Sequence, residues 1–267
     1  MNNVQQQLFG TQSFLAFTLD HRPIVGKPRA VLSNNVRVEL WDNGVLYFHP
    51  QDETLQNSLL LSVGVHGNET APIEIINQLV NDILAGKIMV KQNLLIVIAN
   101  PDAINAECRE VDENMNRLFS EYSTPKSSDS NERHRSRRLM EYSQTFFAAE
   151  AAQKIHYDLH TAIRGSFYKK FAISPNTVEV PETEYQYNVL GQWGIQAILS
   201  TQQKSPTYSA FTANACGATS FTVELGQVKP FGENDLDEFS SVIDGLVAAI
   251  SDCLLYTSPS PRDEVLS

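Results

Sequence analysis

The sequence predicts an α/β fold in which a mixed or mostly parallel sheet carries helices on both faces. Two observations point to it. Short apolar runs bounded by glycine, asparagine or proline, at 59–65, 93–99 and 154–162, read as strands buried on both faces. Between them, apolar residues recur at three- and four-residue intervals, as at Ile73, Ile76, Leu79, Val80, Ile83 and Leu84, which reads as an amphipathic helix opening at Pro72. Alternating strand and helix of this kind packs as layers. The amino-terminal part differs: residues about 10–50 alternate in β fashion, with breaks at Pro23 and Lys27-Pro28 and a hairpin turn at Asp42-Asn43-Gly44, so an antiparallel β segment is expected there. Further helices are expected at about 131–153 and across Leu236 to Ile250, and the polar stretch Ser123 to Asn131 reads as a loop.

The most informative stretch is Val63 to Pro72, where the first buried strand breaks into the helix with His66 and Glu69 three residues apart. Open α/β sheets bind ligands at the carboxyl ends of their strands, and both residues lie at such an end. His160 closes the strand-like run Lys154 to Ala162. An H-x-x-E pair followed much later by a lone histidine supplies two imidazoles and one carboxylate, the catalytic zinc set of carboxypeptidase-type enzymes, with a fourth position for water. A closed structural zinc site is disfavoured, because Cys108, Cys216 and Cys253 form no C-x-x-C pair.

Four segments, GVHGNETAP (64–72), NPDAINAECREVDENMNRLF (100–119), DLHTAIRG (158–165) and TVELG (222–226), resemble the succinylglutamate desuccinylase and aspartoacylase family of carboxypeptidase-like zinc hydrolases. The resemblance spans roughly residues 10–250 and is strongest to the desuccinylase branch. It implies a three-layer α/β/α fold, one zinc ion per chain on His66, Glu69 and His160, and hydrolysis of N-succinyl-L-glutamate to succinate and glutamate, the last step of the succinyl-transfer route of arginine breakdown. Arg109, Asn116 and Arg117 match the family's substrate-binding arginine, asparagine and arginine, and guanidinium forks suit bidentate capture of carboxylates. Glu224 matches its catalytic acid and base. Asn114 stands where aspartoacylases have aspartate, so no role is carried over to it.

Asp158 and His156 alternate with His160 and share its strand face. Asp158 is expected either to orient a zinc-binding imidazole or to satisfy nearby backbone or an arginine. His156 reads as a core or surface histidine, and His21, His49 and His134 as ordinary side chains. Arg164 is either a further carboxylate clamp or a surface loop charge; Lys169 and Lys170 follow it closely. The cluster Arg133, Arg135, Arg137, Arg138 reads as a solvated helix start.

The 267 residues, 42% of them hydrophobic, can bury one large core, and a net charge of −11 disfavours nucleic-acid and anionic-membrane partners. No targeting segment or span-length apolar run is visible, and three scattered cysteines suit a cytoplasmic chain. The expected partner is a small-molecule substrate, with oligomeric state left open. Residues 1–252 are expected to form the catalytic domain. From Cys253 to Asp263 two prolines and several serines break the preceding helix, and the string resembles a translated sequencing-library adapter, so 253–267 is expected to be a non-native tail replacing a β-rich carboxyl-terminal part. Competing expectations are an aspartoacylase-like deacylase of another N-acyl amino acid, a carboxypeptidase, or a non-catalytic relative that holds zinc or ligand without turnover; a base at Glu224 separates the last from the enzymes.

Overall fold

The computed structural model describes residues 3–21, 24, 26–51, 57–120, 129–162, 167–175, 181–201 and 205–251. Nine strands form one sheet in the order β1-β2-β3-β5-β4-β6-β9-β7-β8. Its middle is parallel: β4 (Ser58–Val63) pairs on one side with β5 (Asn93–Ile98) and on the other with β6 (Lys154–Ala162), which pairs in turn with β9 (Thr219–Gln227). All six residues of β4 and of β5 are buried. That is the environment an unbroken apolar run requires. Because the chain leaves β4 for β5 on one side and later returns for β6 on the other, a topological switch point lies at the carboxyl end of β4.

One face of the sheet is covered by α3 (Thr70–Leu84), α6 (Pro181–Gln192) and α8 (Ser240–Ile250), whose Ile76, Val80, Leu190 and Leu246 join Leu59, Leu61 and Val63 in one core. The other is covered by α5 (Asn131–Phe147) and α7 (Tyr208–Cys216), which bring Leu139, Phe146 and Phe211 against Leu60, Leu95 and Val97. The expected three layers are therefore present. Beyond the parallel centre, β3 (Val45–Pro50) runs antiparallel to β5, and β7 (Phe171–Ser174) runs antiparallel to β9 and parallel to β8 (Ala197–Ser200), so the sheet is mixed.

The amino-terminal expectation holds in its second half. Strands β1 (Arg29–Val31), β2 (Val36–Asp42) and β3 pair antiparallel, and Gly44, at φ +71°, makes the predicted turn. Ahead of them the chain is helical, with α1 at Asn3–Phe9 and α2 at Phe14–Leu19. Ser13 caps α2 by accepting from the Ala16 N–H, and buried Phe14 and Thr18 lie one turn apart. A four-residue spacing of buried groups behind a serine cap outweighed the local alternation. The helix expected at 131–153 stops at Phe147, and the last helix opens with a 3-10 turn, Leu236–Phe239. The tail expected at 253–267 lies outside the described residues.

Half of the arginine cluster of α5 departs from the expected solvated helix start, while Arg137 and Arg138 are exposed as expected. Arg133 is buried against Glu113 at 2.8 Å, and Arg135 reaches into the turn between β2 and β3, donating to Asp42 at 2.9 Å and to the carbonyls of Asn43, Ile98 and Ala99. Arg137 and Arg138 pair with Asp129 and Asp42 nearer the surface. Replacing a partly buried guanidinium leaves several acceptors unmet. Arg135→Leu is expected to lower stability by about 3 kcal/mol, read as a fall in urea midpoint at unchanged slope.

Candidate metal centre and active site

The turn after β4 is built for close approach. Gly64 adopts φ +66°, and a Cβ on Gly67 would lie 2.1 Å from the carbonyl carbon of Ala103, so only glycine lets this turn pack on α4 (Pro101–Asn105). Gly67 N–H donates to the Arg109 carbonyl, and Glu69 N–H to that of His66. This compact turn points both motif side chains at the end of β6, where His160 stands.

Among the described residues, His66, Glu69 and His160 form a group able to hold a metal ion: one ligand atom from each lies within 4.8 Å of the others, and all three are buried. Nδ1 of His160 is 2.9 Å from Glu69 Oε2, and Nδ1 of His66 is 2.8 Å from Glu69 Oε1. The latter contact lies outside hydrogen-bond geometry, and His66 Nδ1 has no hydrogen-bond partner. The opposite ring nitrogens are held by oxygens. His160 Nε2 is 2.9 Å from Asp158 Oδ2, and His66 Nε2 is 3.2 Å from Asn114 Oδ1. Both rings thus present Nδ1 to a shared point beside a carboxylate, the donor set that a divalent cation of zinc type accepts, each ring fixed from behind by an acceptor.

Electrostatics agrees. Burial alone raises the Glu69 carboxyl, but the charge and hydrogen bond of His160, together with the close approach of His66, outweigh it and hold Glu69 far below the carboxylate range. Asp158 is lowered in the same way, burial being outweighed by His160, His156 and Ser62. Burial would lower His160, yet Asp158 and Glu69 raise it well above the usual imidazole value.

Glu224 pairs with His160 across β6 and with Phe171 across β7, so β9 is an interior strand and not an edge. Its Oε2 is buried without a hydrogen-bond partner. Burial, reinforced by Glu69 and Asp158 and opposed by His160 and Arg109, raises its pKa. Arg109 donates to Glu69 Oε1 at 2.8 Å and is partly exposed. Asn116 accepts from the Tyr208 N–H, which leaves its amide NH2 as the group to offer a ligand, and Arg117 is exposed at the end of the 3-10 turn Met115–Arg117. Arg164 lies outside the described residues. A cavity of about 340 Å³ opens where β6 and β9 end, lined in part by Ala162, Lys169, Lys170, Leu225, Gly226 and Lys229. The remaining histidines lie elsewhere: His21 by Asp102, His49 against Asn93, His134 by Asp129.

The sequence from residue 56 to 250 matches the family model described as the succinylglutamate desuccinylase/aspartoacylase catalytic domain. A succinylglutamate desuccinylase of Shewanella sp. (strain MR-7) is 41% identical over 264 residues, covering 97% of this chain and 76% of the relative. The chain belongs to the succinylglutamate desuccinylase/aspartoacylase family. The crystal structure of the succinylglutamate desuccinylase from Chromobacterium violaceum superposes with a TM-score of 0.84 at 37% identity, covering 91% of this chain and 74% of that one. A metallo-carboxypeptidase from Burkholderia cenocepacia shares the fold at 14% identity and a TM-score of 0.58 over 88% of this chain and 66% of that one.

In this desuccinylase/aspartoacylase family member, Asp158 Oδ2 lies against the imidazole of His160. Asn114 is the residue the sequence did not assign. Its one carboxamide oxygen accepts from the Asn116 N–H at 3.0 Å and faces His66 Nε2, tying the metal-site ring to the turn that presents Asn116 and Arg117. An asparagine immediately ahead of a short turn is a signal for capping the backbone N–H two residues on. Nothing local reveals the imidazole. Among the described residues no helix is long and apolar enough to cross a membrane.

Proposed function

We propose that this chain hydrolyses the amide bond of N-succinyl-L-glutamate to succinate and L-glutamate, using one zinc ion held by Nδ1 of His66, Nδ1 of His160 and the Glu69 carboxylate. The observation that supports it most is the convergence of these three buried ligands beside Glu224, in a chain whose 41%-identical relative carries the desuccinylase name. Zinc in such a site supplies a Lewis acid that acidifies water and polarises a carbonyl.

The chain's own groups do the rest. Glu224, buried beside the ligands with one oxygen unpaired, takes a proton from the attacking water and returns it to the amide nitrogen as the C–N bond breaks, leaving a carboxylate and an amine. Asp158 and Asn114 keep the imidazoles oriented. Arg109, the Asn116 amide and Arg117 grip substrate carboxylate, and the lysines lining the neighbouring cavity make that end of the sheet cationic in a chain of net charge −11, as a tricarboxylate substrate requires. Arg164 belongs with these groups in this reading.

The direct test is metal analysis together with succinate release from N-succinylglutamate, with N-acetylaspartate as competitor substrate. Stoichiometric zinc and preference for the succinyl compound are expected; preference for the acetyl compound would move the chain to the aspartoacylase side. Arg109→Ala is expected to raise KM roughly 10–100-fold with zinc retained, since a charge-assisted hydrogen bond is worth about 1.5–3 kcal/mol. Unchanged KM would remove Arg109 from the substrate site.

A further inference from the structure

Behind the metal-site candidate, Asp158 continues into a chain of buried polar side chains to which the proposed reaction gives no task. Ser62 of β4, His156 and Asp158 of β6, Thr212 of α7 and Ser220 of β9 are all fully buried. In the parallel register Ser62 stands opposite Asp158 and Leu60 opposite His156, so these groups share the sheet face on which α7 packs. Apolar residues would fill that layer at lower cost, since each buried hydroxyl or imidazole must find partners.

Between His156 and Asp158 the partners run in one direction. Asp158 accepts at both oxygens. Ser62 has a single hydroxyl proton and gives it to Asp158 Oδ1 at 2.5 Å. The Ser62 oxygen, 2.8 Å from His156 Nε2, therefore receives the Nε2–H of His156. With its proton on Nε2, His156 accepts at Nδ1 from Thr212 Oγ1, 2.7 Å away. Burial, opposed by Asp158 and reinforced by His160, takes His156 down to about 4, so one neutral tautomer persists at neutral pH. The protons of His156 and Ser62 thus run toward Asp158, and the second oxygen of Asp158 faces His160 Nε2 at 2.9 Å.

We propose that His156 and Ser62 are positioning residues of the metal site: together they fix the Asp158 carboxylate so that it grips Nε2 of His160 and leaves Nδ1 for the metal. The proposal rests on the reading of His66, Glu69 and His160 as metal ligands. Without Ser62, Asp158 Oδ1 loses its donor and the carboxylate is free to turn away from the imidazole. Groups of this kind behind a ligand typically change metal affinity 10–100-fold.

The test is the zinc dissociation constant of the whole chain, measured by competition with a chromophoric chelator, with thermal melts of the metal-free proteins alongside. Ser62→Ala and His156→Phe are expected to weaken zinc roughly 10-fold or more, whereas His156→Gln, whose amide keeps an N–H where Nε2 stood, is expected to stay within about threefold of the parent. A merely structural role would lower the melting temperature of all three and leave zinc affinity alone. If His156→Phe does not fold, Ser62→Ala, which removes one atom, decides. Folded Ser62→Ala binding zinc within about twofold of the parent overturns the proposal, as does His156→Gln binding as weakly as His156→Phe. Failure of the parent to bind zinc at all would instead overturn the metal-site reading on which the proposal stands.

Discussion

Glu224→Gln is expected to keep its zinc and bind substrate while losing on the order of 10²–10⁴ in kcat. The substitution nearly preserves shape and removes basicity. Glu224 sits on an interior strand, in register with His160, with Oε2 buried and unpaired, so no other interaction of that oxygen is sacrificed. The effect should fall on kcat, because the proton is in flight only in the transition state. A second readout comes from the metal-free protein. The carboxyl's folded-state pKa is raised by burial, with Glu69 and Asp158 adding to it, so its ionised form opposes folding. A carboxyl shifted upward lends stability at pH below its unfolded value and loses it as pH climbs through the folded value. At neutral pH metal-free Glu224→Gln should therefore melt above the parent, and at acid pH that advantage should vanish. Near-normal turnover in the variant would exclude Glu224 as the base.

Removing Glu69 should be still more severe. Its Oε2 accepts from the Thr161 backbone N–H at 3.0 Å and faces His160, and its Oε1 accepts from Arg109 and faces His66, so one side chain organises three others and a strand N–H. Glu69→Ala strips the only carboxylate from the three ligands and leaves Arg109 without its partner. Zinc affinity is expected to fall by more than the roughly 10–100-fold attributed to groups behind a ligand, and activity to reach background. Metal content per chain after dialysis, measured beside succinate release, checks both. A variant that retained one zinc and substantial turnover would exclude Glu69 as a ligand.

What could be read from the sequence was whatever local period or chemistry announces. The strand-to-helix change around His66 and Glu69 is visible because burial on two faces and burial on one leave different spacings. His160 stood out as a polar group at the end of a strand-like run, and Glu224 as an acid within a β-rich one. Partners brought from afar left no local trace. The burial of Arg133 and Arg135 depends on Glu113 and on the turn between β2 and β3. The roles of Ser62 and His156 depend on β4 lying beside β6 in one register. The helix Phe14–Leu19 was misread because six residues satisfy a two-residue and a four-residue period almost equally, and the serine cap decides.

The strand order also sets a sequence of events during synthesis. His66 and Glu69 emerge with β4, but His160 is 91 residues further on, and the parallel pairing of β4 with β6 must close over the intervening crossover before the third ligand arrives. Glu224 comes later still, on the strand that adds outside β6. A chain emerging amino terminus first therefore gathers His66, Glu69 and His160 before it owns Glu224. If those three hold zinc as proposed, a nascent protein could take it up and gain the stability of holding it before the proposed base arrives on β9.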